Sequence, residues 1–291
     1  MEPRGRSRQP LQPDWPFAAG SPTWHDAGVS AEALRASRRD LAVVGVVLVW
    51  IPLVLWLDAG ASLGQQHLLG LGTWALLAAL LSGEGALVRM QTAVVIVFAT
   101  AVEYAFSDLL GTYVYRLDNV PSFVPPGHGL VYLAAYAFGR SALARRWERP
   151  LVGGTIAVGG AYALWGISPW APRPDALGVF WYLCLLGFLL WGRSRLLYVG
   201  AFLVVTYLEL VGTAVGTWAW QPYDPILGVV SMGNPPSGAA GGYGWFDLVA
   251  MAAAPGLLRL LSRARQAARG AARGWTSPPS PSASPASRPT R

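Results

Sequence analysis

No lysine occurs among the 291 residues, so all 22 basic side chains are arginines. A retinal Schiff base, which needs a lysine amine, is excluded. The single cysteine, Cys184, lies within an apolar run and offers neither a disulfide framework nor a thiolate metal site. A Walker loop, HExxH, GxSxG and metal-ligand spacings of useful specificity are also missing, which disfavours ATPase, hydride and zinc-protease chemistry. Neither a cofactor nor a metal is expected. Charge is scarce as well, at 13% of residues against 53% apolar, and the apolar residues fall in blocks rather than in an amphipathic rhythm. That is the composition of a membrane protein.

Charge-poor runs close to bilayer-spanning length can be read at 41–57, 67–82, 92–111, 128–144, 151–168, 176–192, 196–219 and 239–258. They predict an all-α polytopic membrane protein with about eight transmembrane helices. With the amino terminus inside, only Arg116 and Arg173 fall outside, so the positive-inside rule puts both termini in the cytoplasm. The net charge of +7 then follows from topology and anionic headgroups, and no nucleic-acid partner is expected. High arginine, alanine and glycine without lysine point to a GC-rich bacterial gene, hence a bacterial plasma membrane. Polar, Pro- and Arg-containing sequence precedes the first apolar run and shows no cleavable signal, so that span should remain as an anchor.

Residues 1–40 read as a flexible basic cytoplasmic arm in which "SAEALRASRRD" forms a short helix at the headgroups, and 263–291 as a disordered Pro- and Ser-rich tail. The membrane domain, 41–262, divides into units 41–146 and 151–262. Span starts near Leu41 and Leu151, and the Pro-Pro pairs at Pro125 and Pro235, are each 110 residues apart. Four spans per unit give a parallel 4+4 repeat. The "VPPGHG" and "GNPPSG" segments, too rich in turn formers for a helix interior, are expected to be rigid loops roofing a cavity at the repeat interface. "VGGTIAVGGA" is expected to be a close helix-packing surface.

Within the spans, Glu103 and Glu209 are expected about 12 Å from the outer helix ends. Glu103, Ser107 and Gly111, like Glu209, Thr213 and Thr217, are four residues apart and would share a helix face. No intramembrane cation is available to them. They are therefore protonated, bound to a cation, or paired with histidine. Glu103, Glu209, His128 and Asp247 are the candidate catalytic groups, since intramembrane acids mark function by default. Tyr115, Arg116, Asn119, Thr213, Thr217, Trp218, Trp220, Asn234 and Tyr243 are the candidate substrate contacts, grouped at the outer level by this topology. The bland alternatives are an interfacial aromatic belt, a capping role for His128 and solvated loop positions for Asp58, Asp118 and Asp224.

The segment "ELVGTAVGTWAW" resembles carotenoid biosynthesis membrane proteins of the bisanhydrobacterioruberin hydratase type, through Glu209, Gly212, Gly216, Trp218 and Trp220. It covers about a dozen residues, with Trp at both aromatic positions rather than Tyr, and the Pro-Pro elements have no counterpart in that pattern. The resemblance implies a multi-span enzyme adding water to a carotenoid. The first reading is thus an intramembrane enzyme, a hydratase or cyclase, using carboxyl acid/base chemistry on an isoprenoid, carotenoid or other lipid. A proton- or cation-coupled small-solute transporter is the second reading and a membrane scaffold subunit the third. The partner is a membrane lipid or hydrophobic substrate, and the sequence leaves the oligomeric state open.

Overall fold

A computed structural model describes residues 31–276, with side chains described for 34–269. Residues 1–30 of the expected arm and 277–291 of the expected tail lie outside the described residues. The helices are α1 (Ala31–Asp58), α2 (Leu63–Ser82), α3 (Ala86–Glu103), α4 (Val124–Arg140), α5 (Ala142–Arg146), α6 (Glu148–Gly166), α7 (Ala176–Trp191), α8 (Arg195–Ala214) and α9 (Ala239–Thr276). Two three-residue strands, β1 (Tyr113–Tyr115) and β2 (Trp218–Trp220), accompany the helices, and the described residues are otherwise all-α. Four segments, Leu34–Asp58, Ala86–Leu109, Arg195–Ala214 and Ala239–Arg269, are long and apolar enough to cross a membrane, whereas α7 is apolar but only 16 residues long.

Several boundaries differ from the sequence reading for identifiable reasons. The basic segment before Leu41 forms no separate helix but runs unbroken into α1, because alanine, leucine and arginine are all good helix formers. At the other end α9 continues past residue 262 to Thr276 through "LSRARQAARGAARGWT", so the first part of the expected disordered tail is helical. The "VPPGHG" element is no loop: Val124 opens α4 and the prolines occupy its first turn. There the missing amides cost nothing, since first-turn N–H groups have no intrahelical acceptor. "GNPPSG", by contrast, does lie in the loop before α9.

The central pair is α4 and α8, the two most buried helices. Glycine permits their approach: a Cβ on Gly200 would stand 2.6 Å from the Ala135 carbonyl oxygen. Around them α3 packs on α9, α1 on α4 and α7 on α9. In "VGGTIAVGGA" only the second glycine pair serves packing, Gly159 and Gly160 receiving the Tyr182 ring while Gly153 and Gly154 face open space.

Ionic and polar groups tie the two ends of the bundle. At one end Arg140 bridges Asp40 and Glu84 at 2.6 Å each, and Arg39 reaches Glu84 at 3.0 Å. At the other, Asp58 is fully buried, not solvated as expected; it accepts from Gln66 Nε2 at 2.9 Å and lies 3.7 Å from Arg116. Removing the shared cation leaves buried Asp40 without its ion-pair partner and Glu84 with Arg39 alone. Arg140→Ala should therefore destabilise the bundle by about 3 kcal/mol, seen as a lower unfolding midpoint of the purified protein. An unchanged midpoint would mean that Asp40 and Glu84 are solvated.

Candidate functional site

Both glutamates sit where a helix gives way to a reversed strand. After Glu103 the α3 helix widens into a π turn over Tyr104–Leu109, turns at Gly111 (φ +64°) and runs back as β1. After Glu209 the α8 helix ends at Ala214, turns at Gly216 (φ +78°) and runs back as β2. Positive φ is the reason for glycine at each turn. Glu103 precedes its glycine by eight residues and Glu209 by seven, and a π turn accommodates such an extra residue. Of the expected shared helical faces, that of Glu209 and Thr213 stays within α8, whereas Ser107 lies in the π turn and Gly111 and Thr217 beyond the helix ends.

The strands pair antiparallel, Tyr113 opposite Trp220, Val114 opposite Ala219 and Tyr115 opposite Trp218. Alternate residues share a face, so all four rings project to one side of the ribbon, toward the carboxylates. The Tyr113 and Tyr115 hydroxyls both donate to Glu103 Oε2 at 2.8 Å. The Trp218 and Trp220 indoles donate to Glu209 Oε2 at 3.0 and 3.1 Å. Tyr113 packs on Trp220 with ring centroids 4.6 Å apart, linking the two clusters. Burial, and next the negative charge of Glu103, hold both phenols well above their ordinary pKa, so each remains an O–H donor.

His128, delivered by the first turns of α4, completes the Glu103 shell with Nε2 2.8 Å from Oε1. Glu103 thus has both oxygens engaged. Glu209 does not: no hydrogen bond to Oε1 occurs among the described residues. Both acids line one cavity of about 370 Å³ whose walls are mostly apolar and aromatic, including Trp50, Phe98, Trp181, Trp245 and Phe246. A cavity of this size falls in the range of small-molecule sites.

The other sequence candidates divide between cavity and scaffold. Tyr115, Trp218, Trp220 and Tyr243 line the cavity with the glutamates and His128. Asp247 lies behind His128, one α9 turn beyond Tyr243. Arg116 donates to the Ala61 carbonyl, Asn119 to Gln66, and Thr213 to the backbone oxygen of Glu209. Asn234 accepts from the Trp220 amide, and Thr217 is buried away from the cavity lining. Sequence reasoning missed Asp175, a buried acid whose carboxylate accepts from the amides of Gly178, Gly233 and Ser237 and so fastens "GNPPSG" to α7. It also missed Gln66, which joins Asp58 to Asn119. An acid just before an apolar run was the available signal for the first; isolated Gln66 gave none.

Asp224 shapes the remaining wall, where Pro225 and Ile226 line the cavity. Its carboxylate accepts from the amides of Leu227, Val229 and Val230. The Leu227 bond first, then that of Val230, hold its pKa below the ordinary carboxylate value. A lowered folded-state pKa stabilises the loop above the carboxylate range and loses that contribution as pH falls through it. Comparison with protein-family models, curated proteins and solved structures found no match.

Two outcomes test this geometry. Gly216→Ala should destabilise the fold by about 1–2 kcal/mol although a Cβ there meets nothing within 4 Å; a neutral effect on the unfolding midpoint would contradict the strained turn. Amide exchange at Leu227 and Val230, corrected for intrinsic rate, should accelerate as pH falls below the carboxylate range. Equal protection across that range would mean that Asp224 does not hold the loop.

Proposed function

We propose that this chain is an intramembrane enzyme that uses carboxyl acid/base chemistry on an isoprenoid, carotenoid or related lipid, in a hydration or cyclisation reaction. The observation that carries the reading is one largely apolar cavity in which two buried carboxyl groups differ in their commitments. Glu209, with Oε1 uncommitted, is the proton donor: its O–H bond breaks as a C–H bond forms on a substrate alkene. The adjacent carbon becomes cationic, and the faces of Trp218, Trp220, Tyr113 and Tyr115 stabilise it. Glu103 with His128 takes the balancing proton, from an attacking water in hydration or from a neighbouring carbon in cyclisation. The Trp donors fix Glu209 so that its second oxygen is the reactive one, and the Tyr donors fix Glu103 so that its second oxygen meets His128.

The same reading holds that the chain spans a bacterial plasma membrane eight times, as a parallel 4+4 repeat of α1–α4 and α6–α9 with both termini cytoplasmic. Large apolar side chains are exposed on α2, α6 and α7 as well as on the longer helices, among them Leu68, Leu71, Val158, Leu164, Phe180 and Leu183. Such a surface is suited to lipid and unsuited to water. The two ribbon strands and the two glutamates, one set from each half, support the repeat. A reaction chamber is favoured over a conduit because no residue of the Arg140 end contributes to the cavity wall.

Mass spectrometry of lipid extracts from a host making polyprenyl and carotenoid precursors tests the function. Wild type should produce or deplete an isoprenoid, and Glu209→Gln at matched membrane level should reduce that change at least a hundredfold, within the range general acid catalysis contributes. Identical extracts with and without the protein would sink the lipid reading; full activity of Glu209→Gln would remove Glu209 from the chemistry.

A further inference from the structure

Behind His128 lies a second, much smaller cavity of about 10 Å³. One water molecule needs roughly 10–15 Å³ measured in this way, so the space suits a single water and nothing larger. Its polar wall consists of His128 and Tyr132 from α4 and Tyr243 and Asp247 from α9. Each pair is four residues apart and therefore shares one helix face. Asp247 Oδ2 and the Tyr132 hydroxyl are buried and have no hydrogen-bond partner among the described residues. Two residues that wall one water-sized space thus each carry a buried polar atom without a partner, an exception to the rule that buried polar atoms are satisfied, and one bridging water removes it.

His128 and Tyr243 line both cavities, and the imidazole is the group able to pass a proton between them. Its Nε2 is committed to Glu103, which leaves Nδ1 for the second cavity. The rings of Tyr243 and Phe246 pack against His128, with centroids 5.3 and 5.7 Å away.

We propose that the small cavity binds one water bridging Asp247, the Tyr132 hydroxyl and His128 Nδ1, and that Asp247 thereby acts as a positioning residue and proton store for the Glu103–His128 pair. The role in proton transfer rests on the acid/base reading; the water site does not. As Glu103 passes a proton to Nε2, the Nδ1–H bond breaks toward the water, and a proton of the water moves to Asp247 Oδ2. The imidazole has exchanged tautomers, the water is regenerated and one proton has moved from Glu103 to Asp247. No oxidation state changes.

The test uses the full chain labelled with 15N-histidine in lipid nanodiscs. The protein has three histidines, and His128→Asn identifies the ring signals of interest. Wild type should show magnetisation transfer from water to His128 Nδ1, and Asp247→Asn and Tyr132→Phe should each shift that signal and weaken the transfer. Tyr132→Phe removes only a hydroxyl, so it remains informative if Asp247→Asn fails to fold. A dry Nδ1 in wild type, or an Nδ1 signal unmoved by Tyr132→Phe, would overturn the water bridge. Lipid extracts of the same variants separate the two readings. A bridge without any isoprenoid change upholds the water site and removes the lipid enzyme, whereas turnover in Asp247→Asn equal to wild type, with the bridge altered, overturns the proton-store role.

Discussion

The structure depends on how two carboxyl groups are accommodated in an apolar interior. An isolated buried carboxylate costs far more than one domain can spare. Here neither is isolated: Glu103 receives two phenols and pairs with a histidine, and Glu209 receives two indoles. The phenols and indoles are available only because the chain reverses after each helix and returns as a strand. The ribbon is therefore the support of the acids as much as a connection between helices.

Everything around the ribbon serves to hold it. Gly111 and Gly216 provide the two left-handed turns, and the π turn absorbs the extra residue in the first. Asn234 receives the Trp220 amide, Arg173 donates to the Trp220 carbonyl at 2.8 Å, and Asp175 anchors the loop from which Asn234 comes. On the other side Arg116, Asp58 and Gln66 tie the chain after β1 to α1 and α2. Polar residues read as substrate contacts thus fix the geometry of those that line the cavity.

The unequal treatment of the two acids bears on chemistry. Both oxygens of Glu103 have hydrogen-bond partners, while Glu209 retains an oxygen without one in the same apolar chamber. Groups of one type in different environments can take opposite parts in acid/base catalysis. On the proposed reading the difference arises within a repeated architecture, from Tyr in one strand, Trp in the other and a histidine in only one half.

The sequence by itself determined the helical class, the apolar blocks, the buried status of Glu103 and Glu209 and the aromatic pairs that accompany them. Those features follow from composition and from spacing along the chain, which periodicity can read. It did not determine that "PPGHG" begins a helix, because proline is forbidden in a helix interior yet favoured in its first turn, and only the boundary distinguishes the two. Nor could it reveal that Tyr113 meets Glu103 or that Trp220 lies against Tyr113, contacts made by a turn with positive φ and by pairing of strands about a hundred residues apart. Tertiary structure alone decided those contacts, because hydrogen bonds between distant segments depend on how the helices pack and not on any local rule.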